Sequence, residues 1–569
     1  MKPFGQWSRD ALAGRLRRAR RSRTITGTVV ITVLFAVTAV AATASPAAAD
    51  TTINGCTIVA GPTPTHFTQC PGANLAGANL SGVDLAFANL FGADLSFANL
   101  FGANLLGANL SNAVLRRANL SSSSLVACFF QLTGPACTTA NFTGADMTRA
   151  NLTSALTTSC ATIDFGDGIG EVSFCGGVAM SHARLVGANL TGADLSFADL
   201  SNADLIGASL TKSRFGECAP SSPDIPACGT ANLDGADLTG LNLSGLHLNG
   251  VQLTGADLSR TNLAGADLSP LEFLVAGIIS TNLSGADLDH AVLRGANLSG
   301  AAITGANLRR AILTGADLSG ATLTGAHLND ARLGGAKLSG VTSGGIRGTP
   351  KTLPAGWILV DGNLIGPGAN LTGANLARVD FTGIDLTGAT LTGANLIGAN
   401  LGGAKLTGVT SGAITGTPSA LPSGWILVKG YLIGPGANLT GANLSGDNLT
   451  GVNLTNANLY GVNLTGTKLT GATLTGVSSG GISGTPAALP SGWLLVRGFL
   501  VGPGANLTMA YLAGENLSGL DLAGANMTEA NLQNANLTGA NLTGVTWSDT
   551  ICPDGSNSTN DHFTCVNNL

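Results

Sequence analysis

Small, polar and apolar residues recur along most of this chain with a period of five. From Ala73 onward the unit is a small residue, Asn or Asp, Leu, Ser or Thr, and Gly. The small residue and the Leu lie two positions apart, so they face one side of an extended segment, and the polar side chains face the other. Asn and Gly favour turns. The pattern therefore predicts short extended segments joined by turns and stacked around an Ala/Leu interior.

Sixty-seven such units can be counted, with central residues at 75–125, 142–152, 185–215, 233–338, 371–406, 439–474 and 507–542. A Gly in every fifth position would cost an α-helix about 1 kcal/mol each, so the repeat is not helical. If the interior is as described, replacing the central Leu298 by Asp buries an unpaired carboxylate and costs several kcal/mol. Replacing the outward Asn297 by Ser is expected to cost within about 0.5 kcal/mol.

The A-[DN]-L-[ST]-G units resemble the pentapeptide-repeat family, and they cover 335 residues. The resemblance implies an all-β fold, a right-handed quadrilateral parallel β-helix with four units in each coil. At about 4.8 Å between stacked strands, roughly 17 coils would form a rod about 80 Å long. Each unit would contact mainly its neighbours, so the ends of the rod need caps.

Three tryptophans, Trp357, Trp425 and Trp493, are spaced by 68 residues within three copies of one cassette. In each cassette the Trp precedes two apolar runs joined by a turn that ends in Gly, which predicts a β-hairpin. Residues 341–544 then form three modules, each with two coils of eight units and a 28-residue insertion, and the insertions emerge on one side. The tryptophans either cover the apolar edge of the insertion or form a row of ligand-contact side chains.

Composition excludes two other classes of repetitive chain. Charged residues make up only 10% of the sequence and 44% of it is hydrophobic, whereas disordered segments are charged and poor in aliphatic residues. Gly does not recur at every third position, which excludes collagen.

The N-terminus predicts export. Basic residues crowd the first 24 positions, residues 25–44 are apolar, and a small-x-small site ends at Ala49. We therefore expect residues 1–49 to be a signal peptide and the chain to be secreted, extracellular or at the cell surface. The alternative is that residues 25–44 remain as a membrane anchor. Beyond residue 49 there are 19 basic and 31 acidic residues, a diffuse net charge of −12 that argues against a nucleic-acid partner.

Ten cysteines predict disulfides in an exported chain. In a rod, Cys228 and Cys552 would lie roughly 55 Å apart, whereas a disulfide needs Cα atoms within about 7 Å. Caps at 50–72 and 545–569 and insertions at about 128–139, 155–182 and 218–230 would each be closed by neighbouring cysteines. The expected pairs are Cys56–Cys70, Cys128–Cys137, Cys160–Cys175, Cys218–Cys228 and Cys552–Cys565. Pairing among Cys128, Cys137, Cys160 and Cys175 stays open.

Candidate chemistry is sparse. Ser478 lies in a G-x-S-x-G string, but Thr342 and Thr410 replace it in the sister cassettes. Neither acidic loop matches the spacing of an EF-hand, so they would bind Ca²⁺ weakly at best, and the cysteines lack zinc-site spacing. The residues in question are Asp164, Asp167 and Glu171 in one loop, Asp554, Asn557 and Asp561 in the other, and the scattered His66, His182, His247, His290, His327 and His562. We expect no enzyme and no catalytic, cofactor or metal site.

The function expected from the sequence is a non-enzymatic exported scaffold that binds an unknown protein or envelope partner. The alternative is binding of glycan or ice through Thr/Ser columns. Some members of the family that the chain resembles mimic DNA and bind type II topoisomerases, but the export signal and the weak charge depart from that pattern. A cell-wall hydrolase is the remaining possibility, and it lacks a candidate site.

Overall fold

The computed structural model describes residues 49–131, 134–153, 155, 158–164, 171–218, 228–273, 277–560 and 563–566. The expected signal peptide, including residues 25–44, lies outside the described residues apart from its last position. The chain divides into two units, Met1–Ala49 and Asp50–Leu569, and the second is the subject below. Within the described ranges no helix has the length and apolar character needed to cross a bilayer.

Parallel bridges recur at twenty-residue steps in the long unit, as in Asn74–Asp94 and Asp94–Val114. The bridging residue is the Asn or Asp of each unit. The N–H of Asp94 donates to the carbonyl of Ala73 at 2.9 Å, and the N–H of Leu75 donates to the carbonyl of Asp94 at 2.7 Å. Four five-residue units therefore make one coil, and the prediction of an almost wholly β structure is confirmed.

The interior of the coils consists of the small residue and the central residue of each unit. Ala296 and Leu298, for example, are 0% and 1% exposed. Each unit ends in a turn in which the N–H of the next small residue donates back to the central Leu carbonyl, as Ala78 does to Leu75 at 3.0 Å. The last turn residue has a left-handed backbone, with φ of 69° at Gly77. That is why Gly recurs there.

Antiparallel hairpins interrupt or cap the coils in the part of the chain that the structure describes. They are β1 (Thr51–Ile53) with β2 (Cys56–Ile58), β3 (Val126–Gln131) with β4 (Gly134–Thr139), β5 (Thr158–Asp164) with β6 (Glu171–Gly177), β7 (Gly216–Cys218) with β8 (Cys228–Thr230), β9 (Leu271–Phe273) with β10 (Gly277–Ile279), β11 (Ile358–Val360) with β12 (Asn363–Ile365), β13 (Ile426–Val428) with β14 (Tyr431–Ile433), and β15 (Leu494–Val496) with β16 (Phe499–Val501). A short 3-10 helix, Ser558–Asn560, follows the last coil.

The hairpin β9–β10 interrupts residues 233–338, where the sequence predicts an uninterrupted run of units, so that prediction is wrong. The bridge Gln252–Asn282 spans thirty residues instead of twenty, so the two units counted at 273 and 278 lie outside the coils. The physical reason is Pro270, which occupies the turn position that elsewhere has positive φ. Proline fixes φ near −65° and cannot adopt that turn, so the chain leaves the coil there.

The 28-residue cassettes also differ from the expectation of an element added between coils. Arg347 and Thr352 bridge back to His327 and Arg332 of the preceding coil, and Thr342 bridges forward to Asn370. The cassette therefore forms one coil of the stack, and the hairpin β11–β12 is part of that coil. Each 68-residue module spans three coils, and Thr342, Thr410 and Ser478 fall in one column of bridges.

Candidate functional site

The three tryptophans occupy equivalent and nearly covered positions. Trp357 and Trp425 are each 9% exposed, and Trp493 is 7% exposed. Each ring packs against a glycine nine residues later, so closely that a Cβ on Gly366 would lie 2.4 Å from the ring of Trp357. Covering the edge of the cassette accounts for these positions. A ligand would reach only the remaining edge of each indole, and a ligand-contact role stays a prediction.

A serine hydroxyl fixes each cassette hairpin to the start of its own coil. The Oγ atoms of Ser343, Ser411 and Ser479 accept hydrogen bonds from the N–H groups of Leu364, Leu432 and Leu500, each at 2.9 Å. The hairpins are therefore held in the same orientation in all three modules, and the surface that they form is repeated.

Two of the three cassette hairpins also form an ion pair with the coil that follows. The sequence did not lead us to predict these pairs. Nζ of Lys429, in the turn between β13 and β14, lies 2.9 Å from Oδ1 of Asp447, whose side chain is 7% exposed. Arg497 pairs with Glu515 in the same way in the third module. The signal was present in the sequence, because Asp447 and Glu515 stand where the repeat has a small residue. In the first module the corresponding positions are Asp361 and Val379.

Ser478 has a structural role. Its Oγ accepts a hydrogen bond from Nδ2 of Asn506 at 2.9 Å, as Thr342 does from Asn370 and Thr410 from Asn438. A nucleophilic serine needs a base that accepts its proton, whereas this amide donates one. The structure therefore gives Ser478 the same task as the threonines of the sister cassettes, which is to join consecutive coils.

The structure gives separate surroundings to the other polar candidates that it describes. His290 lies 3.1 Å from Asp289, which also binds Arg310. Asp164 and Glu171 are opposed across β5–β6. The side-chain hydroxyl and the backbone N–H of Ser556 donate to Asp554 and hold its pKa below its ordinary value. Asp167, Asp561 and His562 lie outside the described residues. Among the side chains that are described, no three metal-ligating groups are placed to hold an ion.

The disulfides at both ends of the unit are present. Cys56 bonds to Cys70 and Cys552 to Cys565, with Cα separations of 5.6 and 5.3 Å. Cys137 is also disulfide-bonded. The backbone register places three further pairs directly opposite each other, Cys128 with Cys137, Cys160 with Cys175, and Cys218 with Cys228. The side chains of Cys128, Cys160, Cys175, Cys218 and Cys228 lie outside the described part, so these pairings stay predictions that the register favours.

Several of the outer threonine hydroxyls are engaged within the protein. Oγ1 of Thr372 donates to Oδ1 of Asn370 at 2.7 Å, and Thr382, Thr450 and Thr455 bond in the same way to the residue two positions before. Because the hydroxyl proton is used internally at these positions, they offer a ligand mainly acceptor oxygens and methyl groups. That is a restricted chemistry for binding glycan or ice.

Comparison with known proteins adds the family. The family model described as "Pentapeptide repeats (8 copies)" matches residues 68–105, 93–131, 177–218, 231–269, 279–310, 303–340, 369–408, 437–476 and 505–544. No curated protein is significantly similar to the chain.

Several solved structures are similar over part of the chain. HetL, a pentapeptide repeat protein involved in heterocyst differentiation regulation from the cyanobacterium Nostoc sp., is 28% identical over 48% of this chain and 88% of its own, with a TM-score of 0.18. A pentapeptide repeat protein from the Arabidopsis thaliana thylakoid lumen is 23% identical over 27% of this chain and 70% of its own, with a TM-score of 0.13. Rfr23 from the cyanobacterium Cyanothece 51142 is 25% identical over 30% and 90%, with a TM-score of 0.11.

At these TM-scores the structural likenesses carry no argument, and the assignment rests on the family model together with the twenty-residue period of the bridges. The model matches more than half of the residues. The chain belongs to the pentapeptide-repeat family.

Proposed function

We propose that the chain is a non-enzymatic, exported scaffold, a rigid right-handed four-sided rod that presents polar faces and three copies of one cassette to a partner protein or to the cell envelope. The observation that carries the proposal is the register of the modules. Thr342, Thr410 and Ser478 share one column of bridges, three coils apart. At about 4.8 Å a coil, the same surface recurs about every 14 Å along one side.

Such an array favours multivalent binding. A partner with repeated binding sites would engage two or three cassettes at once, and linked binding events raise the overall affinity by about 10²–10⁴ without any new contact. The serine-fixed hairpins support this function because surfaces held in one orientation lose little freedom on binding.

Export is proposed on two grounds, the basic and apolar N-terminal sequence and the disulfides at both ends of the long unit. Disulfides persist in oxidising compartments. N-terminal sequencing of the protein from its native source should begin at Asp50. A protein that begins at Met1 in the membrane fraction would instead make residues 25–44 an anchor.

Deleting one module tests the scaffold. Removing residues 410–477 takes out three whole coils and joins Val409 to Ser478, which occupies the same place in the coil as Thr410. The immobilised variant and the unaltered chain are incubated with the native surface fraction, and the retained proteins are quantified. We expect the partner to be retained at least tenfold less for each module removed, because each deletion removes one of the linked sites.

The matched control shortens the rod without removing a cassette. Deletion of residues 282–321 removes two plain coils, since Asn282, Ala302 and Thr322 follow one another in a bridge column. Retention should stay unchanged in this variant. If both deletions reduce retention equally, the cassettes are not the binding surface.

A further inference from the structure

Four arginines line one groove on the surface of the rod. Asp94, Val114, Asp146 and Arg184 follow one another in a single column of bridges, so they mark four successive coils. Around the turn beside this column the groove is lined by Phe97, Arg116, Arg117, Thr148, Arg149 and Arg184. This is a concentration of positive charge in a chain whose residues beyond 49 carry a net charge of −12.

Only two of the four arginines have carboxylate partners in the described structure. Nε of Arg116 lies 2.6 Å from Oδ2 of Asp146, and Nε of Arg184 lies 3.9 Å from Oδ2 of Asp204. Burial raises the pKa of Asp146, but hydrogen bonds from Thr148 and Arg116 outweigh it and hold that pKa below its ordinary value. This carboxylate is therefore ionised and already engaged by Arg116 and Thr148.

Arg117 and Arg149 are not paired with any carboxylate of the described residues. The guanidinium of Arg117 lies over the ring of Phe97, 5.6 Å from its centroid. The stem of Arg149 lies over Gly187 of the next coil, where an added Cβ would be 3.4 Å from Cγ of Arg149. Both side chains thus lie along the groove without an ion pair to a described carboxylate.

The fold does not require arginine at either position. Arg117 and Arg149 have φ of 57°, at turn positions where Gly77 and Gly187 stand in other coils, and a left-handed backbone is unfavourable for any residue with a Cβ. Their backbones lie on adjacent coils, which are about 4.8 Å apart. Their two like charges therefore repel each other. At another pair of adjacent turns, His290 and Arg310 also lie side by side, but both contact the carboxylate of Asp289.

We propose that this groove binds a phosphate group, held between the guanidinium groups of Arg117 and Arg149. Guanidinium presents a planar fork of donors that matches phosphate oxygens bidentately. Two such forks on adjacent coils, neither ion-paired with a described carboxylate, would enclose one dianion and remove their mutual repulsion. The site goes beyond the scaffold function proposed above and lies apart from the three cassettes.

The test is titration calorimetry of the full-length protein with inorganic phosphate, against sodium chloride at matched ionic strength to subtract screening. We expect saturable binding of one phosphate, weakened at least tenfold by Arg117→Gly and by Arg149→Gly. Because glycine suits a left-handed turn, neither variant should have a lower melting temperature than the unaltered chain. A loss of binding with retained stability separates recognition from a structural role.

Arg378→Gly is the matched control. Arg378 has φ of 63°, and its stem likewise lies over a glycine, Gly398, of the next coil. It has no second arginine at the adjacent turn, so its replacement should leave phosphate binding unchanged. Equal weakening in all three variants would overturn the proposal, as would the absence of saturable binding.

A second arm distinguishes the source of the phosphate. Vesicles of phosphatidylglycerol and of phosphatidylcholine are compared for the unaltered chain and for the Arg117→Gly and Arg149→Gly variants. A preference for phosphatidylglycerol that the variants lose supports the site and assigns the group to a lipid headgroup. Phosphate binding without such a preference supports the site and assigns it to a soluble phosphate compound.

Discussion

The side-chain amide of Asn297 joins two coils by donating from Nδ2 to Oδ1 of Asp267 at 3.0 Å. Its own Oδ1 accepts the N–H and the hydroxyl of Ser299, at 3.2 and 2.8 Å, and so closes the following turn. The same double role recurs along the rod, for example at Asn119, Asn395 and Asn541. The polar position of the repeat, which faces away from the interior, is thus part of the structure.

Replacing Asn297 should lower the free energy of unfolding by more than the sequence alone predicts. Asn297→Ala loses the bond to Asp267 and both bonds from Ser299, all of them part-buried. At about 0.5–1.5 kcal/mol for each hydrogen bond, we expect a loss of about 1.5–4.5 kcal/mol in the free energy of unfolding. Amide hydrogen exchange of the two coils measures it, because exchange reports local opening in a long stack. Asn297→Asp keeps the acceptor for Ser299, but it replaces the donor to Asp267 by a second carboxylate, so repulsion between the two carboxylates adds to its loss. Unchanged protection in both variants would show that the ladder contributes nothing.

Substitution of the interior residue Leu298 by Asp should lower the free energy of unfolding more than substitution of the outward Asn297. Leu298 is 1% exposed, and Leu298→Asp places a carboxylate without a partner among apolar side chains, so we expect a loss of several kcal/mol in the free energy of unfolding. Leu298→Met, which nearly conserves volume, should cost less than about 1.5 kcal/mol. Denaturation followed by circular dichroism compares the two. Similar losses would contradict the assignment of Leu298 to the interior.

Thr382 should make the stability depend on pH through Asp380. The hydroxyl and the backbone N–H of Thr382 donate to the Asp380 carboxylate, at 2.6 and 3.0 Å, and hold its pKa below the ordinary value. A lowered pKa in the folded state adds stability that is present above the unfolded pKa and is lost as pH falls through the folded pKa. Thr382→Val should therefore destabilise the protein more at neutral pH than in acid, where the bond that Asn400 donates to the Thr382 hydroxyl is the remaining loss.

Thr372→Val is the control for that series. Thr372 donates to Asn370 at 2.7 Å with the same geometry, but the asparagine does not titrate. Its effect on thermal unfolding should be the same at pH 7 and at pH 3. If the two threonine variants show the same pH dependence, the titration of Asp380 is not the cause.

Lys429 should stabilise the folded protein because its ammonium group pairs with the buried carboxylate of Asp447. Lys429 is about half exposed, but Asp447 is buried and its Oδ2 has no partner in the described structure. Lys429→Ala leaves that carboxylate unpaired, and breaking a buried pair from one side is strongly destabilising. We expect a loss of about 2 kcal/mol or more in the free energy of unfolding, measured by denaturant titration.

The first module indicates which second substitution should restore the stability lost in Lys429→Ala. It has Val379 where the second has Asp447, so Asp447→Val in the Lys429→Ala background should recover most of the lost stability. In the single variant Asp447→Val the half-exposed lysine keeps its hydrogen bond to the carbonyl of Ser445 and its contact with water, so the loss should be small. A double variant as unstable as Lys429→Ala would show that the lysine acts through packing instead.

Much of this architecture is readable from the sequence because one pattern repeats. The spacing of Ala296 and Leu298 predicts the interior, and the run around Asp361-Gly362 predicts a hairpin. The role of Pro270 was missed because the requirement for positive φ belongs to the coil and becomes visible only once the turns are seen. The pairing of Lys429 with Asp447 needs the fold as well, since it joins a hairpin tip to the next coil. Arg117 and Arg149 are 32 residues apart, and only the register makes them neighbours.

The register of the antiparallel pairs constrains which cysteines can form disulfides. Directly opposed residues of an antiparallel pair have Cα atoms about 4.5–5.5 Å apart, within the range of a disulfide, and β3–β4, β5–β6 and β7–β8 each oppose two cysteines. Non-reducing peptide mapping should therefore find Cys128–Cys137, Cys160–Cys175 and Cys218–Cys228 beside the two terminal bridges. Reduction should loosen the caps and hairpins and leave the β signal of the coils intact, because the coils bury their leucines without sulfur. A Cys228–Cys552 bridge within one chain would contradict a continuous stack, since the stacked units between them hold those residues far apart.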